Sequence, residues 1–257
     1  MTAGDRAFGD AEYGEHAEHL EHCERAERAE HLAPAELEVA ELEVVEAQAH
    51  GPERMSVIWL HGMGQDTGHA AAIVDRLGLA EQGVRAVFPR APAQARSPIT
   101  GARARAWVDQ SVLKLGKTDP ETLAATELGL QRLVEEEAKR IGAERVVLAG
   151  FSQGAAMALY VALRYPERLG AVALYAAFPF GDVPLMESRS AANAGLPVWL
   201  GHGRRDWVIP YFVGIGVRDL LREHGHPVEW HKYPGEHEAF GGVGAELAEF
   251  LGRVAAK

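Results

Sequence analysis

A single cysteine, Cys23, occurs in 257 residues. One thiol cannot close an intramolecular disulfide, so the chain is not a stapled secreted scaffold. No stretch of about 18 apolar residues is present, so no membrane-spanning helix is expected. The N-terminus is acidic and polar, unlike the basic-then-apolar start of a secretory signal. The G-x-G-x-x-G and Walker spacings of nucleotide-binding loops are missing. Aromatic residues make up only 7% of the chain, but 47% is hydrophobic, enough for one substantial core. These features point to residence in the cytoplasm.

Charge is short of one sign at one end only. Residues 1–50 hold 14 acidic and 3 basic side chains, whereas the rest of the chain balances at 23 of each. The whole formal net charge of −11 thus belongs to the first fifth. There, Glu15, Glu18, Glu21, Glu24, Glu27 and Glu30 recur every third residue, with His16, His19, His22 and His31 in the same rhythm. A period of three drifts around a helix of 3.6 residues per turn and makes no stable apolar face. Residues 1–34 therefore read as an extension, a solvated helix or a disordered segment. Metal binding by its histidines and a protein-interaction arm are the alternatives. A catalytic domain is expected over 35–257. Leu37, Val39, Leu42 and Val44 alternate with glutamates, as in an edge strand with one buried face.

Beyond the tail, apolar β-branched runs at 55–60, 84–88, 145–150, 170–176, 196–201 and 227–233 alternate with helical patterns. That alternation predicts an α/β fold, a mostly parallel sheet covered by helices on both faces. The helix at 119–141 carries its own punctuation: Asp119 or Thr118 as cap, Pro120 in the first turn and Gly142 at the end.

Gly150-Phe151-Ser152-Gln153-Gly154 is the densest signal. Arg145–Ala149 runs into it as a strand and Ala155–Leu159 leaves it as a helix. A G-x-S-x-G in a strand–turn–helix setting lifts a serine hydroxyl clear of the sheet as a nucleophile. The flanking glycines are required because a Cβ there would strike the neighbouring strand or helix. A serine needs a base and the base an orienting acid, in the chain order Ser, Asp or Glu, His. Of the histidines after Ser152, His202 precedes the best acid, His224 and His226 lie at a helix C-terminus, and His231 lies within a strand. His237, in the loop after that strand, is the candidate base. Asp206, in the loop after 196–201, is the candidate acid, ahead of Asp182, although an aspartate there also suits capping of the helix near Pro210. Oxyanion donors are expected from the backbone N–H of Gln153 and of Met63, the latter between glycines after strand 55–60.

Leu60-His61-Gly62-Met63-Gly64-Gln65-Asp66-Thr67-Gly68, Phe88-Pro89-Arg90-Ala91-Pro92, Ala106-Trp107-Val108-Asp109, the elbow through Leu159, His202-Gly203 with Asp206 and Val208-Ile209-Pro210, and Gly235-Glu236-His237-Glu238 follow one another along the chain. In that order they resemble the phospholipase/carboxylesterase family of α/β-hydrolases, which includes the acyl-protein thioesterases. The resemblance covers about residues 54–252. It implies an α/β-hydrolase fold with little or no separate cap, and hydrolysis of carboxylic esters or thioesters without metal or organic cofactor. It assigns Ser152, Asp206 and His237 as the triad, Met63 and Gln153 as the oxyanion hole, and Trp107 as a wall of the acyl pocket. Phe178 and Trp207 are further candidate substrate contacts, as are Phe180 and Phe240, each equally suited to core packing. The expected partner is a small ester, thioester or lysophospholipid rather than a nucleic acid, and the expected state a monomer or homodimer. Three departures bear on pocket shape: Gln65 stands between Gly64 and Asp66, Val108 replaces an aromatic, and Ala155 replaces glycine.

Overall fold

The computed structural model describes residues 42–96, 102–111, 117–181 and 183–257. The acidic extension, Cys23, Leu37, Val39 and Asp182 lie outside the described residues.

Among the described residues seven strands form the central sheet: β1 (Val44–Ala47), β2 (Met55–Leu60), β3 (Val84–Pro89), β4 (Val146–Phe151), β5 (Ala171–Tyr175), β6 (Val198–Gly203) and β7 (Val228–Tyr233). Their spatial order is β1-β3-β2-β4-β5-β6-β7, antiparallel only between β1 and β3. The six strands read from the sequence all form, with ends displaced by two residues at most. The helices are α1 (Ala70–Leu77), α2 (Pro120–Ile141), α3 (Gln153–Arg164), α4 (Tyr211–Glu223) and α5 (Gly244–Ala255). Two short ribbons, Ala93–Arg96 with Arg103–Ala106 and Gln110–Ser111 with Lys117–Thr118, lie between β3 and α2. Among the described residues no cap domain interrupts this arrangement.

Both faces of the sheet are covered over its five inner strands, β2 to β6, which are buried along their whole length. On β2 the alternation separates two cores. Met55, Val57 and Trp59 enter one with residues of α1 and α5, while Ile58 and Leu60 enter the other with residues of α2 and α3. Each fully buried aliphatic side chain of this kind contributes about 1.5–3 kcal/mol by leaving water. Helix α2 starts as its sequence dictates: the Asp119 carboxylate accepts from Thr122 N–H at 2.9 Å, and Gly142 ends the helix at φ 94°.

The edge strand β1 departs from expectation. Val44 and Val45 are 39% and 44% exposed, so the predicted buried face does not form over this strand. The strand is held by its ladder to β3 and by Arg85–Glu46 and Arg90–Glu43 ion pairs. Within α2 the buried face also takes in Thr126, Gly129 and the charged Glu137, which is only 3% exposed.

The chain steps from β2 outward to β3, then returns to place β4 on the opposite side of β2. That reversal opens a crevice at the C-terminal ends of β2 and β4, the place where open α/β sheets hold ligands. The glycine loop after Leu60 and the serine turn after Phe151 both emerge there.

Candidate active site

Ser152 joins β4 to α3 with φ 55° and ψ −122°, a backbone conformation that side-chain-bearing residues rarely adopt. Its N–H donates to the Tyr175 carbonyl at 2.9 Å, pinning the turn to β5. The glycines explain themselves by contact. A Cβ on Gly154 would lie 2.2 Å from the Leu60 carbonyl oxygen, and one on Gly150 would lie 2.7 Å from the Gly154 carbonyl. The turn can pass between β2 and α3 only without side chains at those two places.

Ser152 sits at the N-terminal end of α3, yet its side chain does not cap the helix. Its Oγ lies 3.0 Å from His237 Nε2, and His237 Nδ1 lies 2.8 Å from Asp206 Oδ2. A carboxylate only accepts, so the ring proton sits on Nδ1 and Nε2 is left to accept from the serine hydroxyl. Asp206 serves two purposes with its two oxygens. Oδ1 accepts from the N–H groups of Val208 and Ile209 at 2.9 and 2.8 Å, tying the turn that leads into α4. Oδ2 is thereby turned toward His237; the bonds of Oδ1 lie in the turn before the helix, whose N-cap is Pro210 with no side-chain cap. Burial pushes the Asp206 carboxyl up, but hydrogen bonds from His237, Ile209 and Val208 outweigh it and hold the group below the usual range.

His202 is fully buried behind this carboxylate, its Nε2 3.5 Å from Asp206 Oδ2. It faces the acid rather than the serine. Nε2 donates to the Ile209 carbonyl at 2.9 Å, and burial lowers its pKa, so the ring is neutral. Gly214 packs against the other nitrogen so closely that a Cβ there would lie 2.2 Å from Nδ1. The remaining histidines behave as their positions suggest. His224 hydrogen-bonds the Leu220 carbonyl at the end of α4, His226 bonds the Leu196 carbonyl, and His231 stacks on Trp199.

The expected oxyanion donors lie at the two loops that meet in the crevice. Among the described residues, no group accepts from the backbone N–H of Met63 or of Gln153. At Gln153 this follows from its place in the first turn of α3, where N–H groups have no intrahelical partner. The surrounding groups are engaged. His61 donates from Nδ1 to the Gly62 carbonyl at 2.8 Å and accepts from Ala91 N–H at 3.1 Å, and burial keeps it neutral. Gln65 closes the glycine loop. Its Oε1 accepts from Gly62 N–H at 3.0 Å, while its own N–H donates to the Gly62 carbonyl. The residue that departs from the family pattern is thus a brace, a role the sequence did not disclose.

Trp107, expected as a wall of the acyl pocket, is wholly buried. Its indole N–H donates to the His61 carbonyl at 2.7 Å and its backbone N–H to Gln153 Oε1 at 2.9 Å. Gln153 Nε2 returns a bond to the Val108 carbonyl, and Thr126 Oγ1 donates to the Trp107 carbonyl. Trp107 therefore ties the glycine loop to the elbow. Of the other candidates, Phe178 is half-buried, edge-on to the core residue Phe180. Trp207 is 66% exposed and stands beside His237 at the mouth of the site. Phe240 is buried against Trp59.

A serine held in hydrogen-bond contact with an imidazole, itself oriented by a buried carboxylate, is suited to acyl transfer. On a sheet of this topology that is the chemistry of the α/β-hydrolases. Sequence comparison narrows the class, for residues 40–254 match the family described as Phospholipase/Carboxylesterase. Acyl-protein thioesterase 1 of Saccharomyces cerevisiae is 31% identical over 182 residues, covering 67% of this chain and 79% of its own. A probable carboxylesterase of Oryza sativa subsp. japonica is 30% identical over 209 residues, 79% of this chain and 78% of its own. The crystal structure of Arabidopsis thaliana SOBER1 superposes with a TM-score of 0.69 at 23% identity, over 78% of this chain and 98% of that one. Esterase PE8 gives 0.70 at 22% identity, over 83% and 99%. The chain belongs to the phospholipase/carboxylesterase family, and it is a serine hydrolase of carboxylic esters or thioesters. Among the described residues no helix is long and apolar enough to cross a membrane.

Proposed function

We propose that the chain hydrolyses carboxylic esters of short to medium acyl chains through an acyl-serine at Ser152, with His237 as base and Asp206 as its orienting acid. The observation that carries this is the continuous relay from Ser152 Oγ to His237 at 3.0 Å and on to Asp206 at 2.8 Å. The ester binds with its carbonyl oxygen at the Met63 and Gln153 N–H groups. His237 takes the hydroxyl proton as Ser152 Oγ bonds to the carbonyl carbon. The resulting oxyanion is held by the two N–H groups, each worth on the order of 3 kcal/mol. His237 returns the proton to the leaving oxygen, the carbon–oxygen bond breaks and the alcohol departs. Water, deprotonated by His237, then releases the acid and restores the serine. Trp207 and Phe178 line the approach in this proposal, while Trp107 acts through the loops it joins.

A thioester or lysophospholipid substrate is the second reading, favoured by the names of the thioesterase relatives, since the same relay serves a thiol leaving group. Matched oxygen esters and thioesters with acyl chains of two to twelve carbons decide between them, and labelling of Ser152 by a fluorophosphonate tests the nucleophile. A protein that hydrolyses none of these and takes up no label overturns the proposal. The proposed catalytic unit begins near residue 35, in keeping with the family match from residue 40; removal of residues 1–34 should leave turnover unchanged. A cytoplasmic monomer or homodimer acting on a small molecule completes the proposal, checked by cell fractionation and light scattering.

A further inference from the structure

A cavity of about 330 Å3 opens beside the catalytic histidine, on the side of the sheet covered by α1 and α5. Its size falls within the range of small-molecule sites. Its floor is aromatic: Trp59, Phe88, Phe151 and Phe240. Trp59 and Phe240 stack with centroids 5.3 Å apart at 16°, and Phe151 lies 4.7 Å from the His237 ring. Phe240 holds its place at φ 65°, a strained conformation for a bulky residue. Arg76 clamps it twice, donating to its carbonyl at 3.1 Å and lying 5.4 Å over its ring. Strain of this kind persists where the surroundings over-determine it, and it gathers at ligand clamps.

His237 forms part of the wall, whereas Ser152, Met63 and Gln153 do not. A proton that His237 takes from Ser152 must be returned to the departing atom, so that atom comes within reach of the same imidazole. A cavity that shares the histidine but neither oxyanion donor therefore lies on the leaving-group side of the scissile bond. Of the charged residues around it, Asp66 accepts from Gly68 N–H, Arg76 donates to the Phe240 carbonyl, and Glu238 lies exposed at the rim. The charges lie at the rim, and the floor offers a ligand an uncharged aromatic surface.

We propose that this cavity is a leaving-group subsite that takes the ring of a neutral aryl-methyl alcohol or thiol, stacked against Trp59 and Phe240, while the acyl chain lies elsewhere. The inference rests on the hydrolase reading given above. On cleavage the bond between carbonyl carbon and leaving oxygen breaks, the His237 proton passes to that oxygen, and the ring alcohol leaves through the cavity mouth.

Ala72, an exposed residue of α1 on the cavity wall, allows the space to be filled from the surface. Ala72→Trp, with Ala72→Phe as a second variant, is assayed on butyrate esters of ethanol, benzyl alcohol and 2-naphthylmethanol. The kcat/KM of the wild type should rise along that series. The variants should lose at least about tenfold on the naphthylmethyl ester and less than about twofold on the ethyl ester, the discrimination a shaped apolar pocket supplies. The profile against acyl length, measured with ethyl esters, should not move. Independently, 2-naphthylmethanol should bind the Ser152→Ala protein and should not bind Ser152→Ala with Ala72→Trp, as followed by equilibrium dialysis. Equal losses on all alcohols, no loss on any, or a changed acyl profile overturns the subsite. Failure of the hydrolase reading itself has a different signature: no wild-type turnover of ethyl butyrate and no fluorophosphonate label.

Discussion

At the N-terminal edge of the sheet, Glu137 accepts from Ser56 Oγ at 2.6 Å and from Arg85 Nε at 3.2 Å. Arg85 reaches on to Glu46 at 2.5 Å, and Arg140 links Glu137 to Glu53. At the C-terminal edge, the Met63 and Gln153 N–H groups have no acceptor among the described residues. There Ser152 keeps a strained backbone, and His237 holds a hydroxyl that is free to react. The same strand–helix alternation builds both edges. One saturates its polar groups and converts them into rigidity. The other leaves donor capacity and strain in place, which a substrate can use. The first edge is where charge is a liability unless paired; the second is where incomplete pairing is the working part.

The sharpest way to test that division is to alter each edge and ask which property moves. Ser152→Ala should lower turnover of a nitrophenyl ester by about 10^4-fold or more while leaving thermal stability equal or higher, since alanine removes only the reacting hydroxyl. Asp206→Asn should cost on the order of 10^3–10^4-fold in kcat. Its Oδ1 still holds Val208 and Ile209, so the melting temperature should barely change. A large loss of stability in either protein would break the comparison. The opposite edge should answer in reverse. Glu137→Ala leaves Arg85 with Glu46 alone and Ser56 Oγ without its acceptor, and should cost about 1–3 kcal/mol in urea unfolding, with near-normal kcat at low temperature.

Acidity should act on both edges in turn. Burial holds His61, His202 and His226 below the ordinary histidine value of 6.5, so each is neutral when folded and takes up a proton more readily when unfolded. Their contribution is complete above about pH 6.5 and is lost as the pH falls through that value toward the folded ones. Asp206, despite the opposing push of burial, is held below 3.8 by its hydrogen bonds, so its share is lost as the pH falls below 3.8. Melting curves between pH 8 and 3 should be flat at the top and then fall in two stages. His226→Gln, distant from the relay, should flatten only the first. The smallest effect is expected at the loop brace. Gln65→Ala removes the acceptor of Gly62 N–H and should reduce kcat less than about tenfold, close to one hydrogen bond of about 1 kcal/mol.

The serine turn was legible because its signal is local: two glycines, a strand before and a helix after are written within a dozen residues, and sterics leave few alternatives. The strand pattern was legible for the same reason, for strands buried on both faces must be continuously apolar. His237 and Asp206 could be chosen by chain order, since each closes its own strand. The bonds of Trp107 were not legible, because a tryptophan near a motif looks the same whether its ring meets a ligand or its N–H groups meet two loops. Glu137 and Gln65 were missed because a polar side chain announces neither its burial nor its partner.

By itself, then, the sequence determined the elbow, the order of the residues that meet in the relay and the parallel alternation that carries them, since each follows from backbone sterics and hydrophobic period over short stretches. Only the tertiary structure decided which polar groups are saturated: Glu137 against Arg85, Trp107 between His61 and Gln153, His202 behind Asp206. It alone shaped the aromatic cavity beside His237, because hydrogen-bond partners and empty space are properties of segments that meet from far apart in the chain.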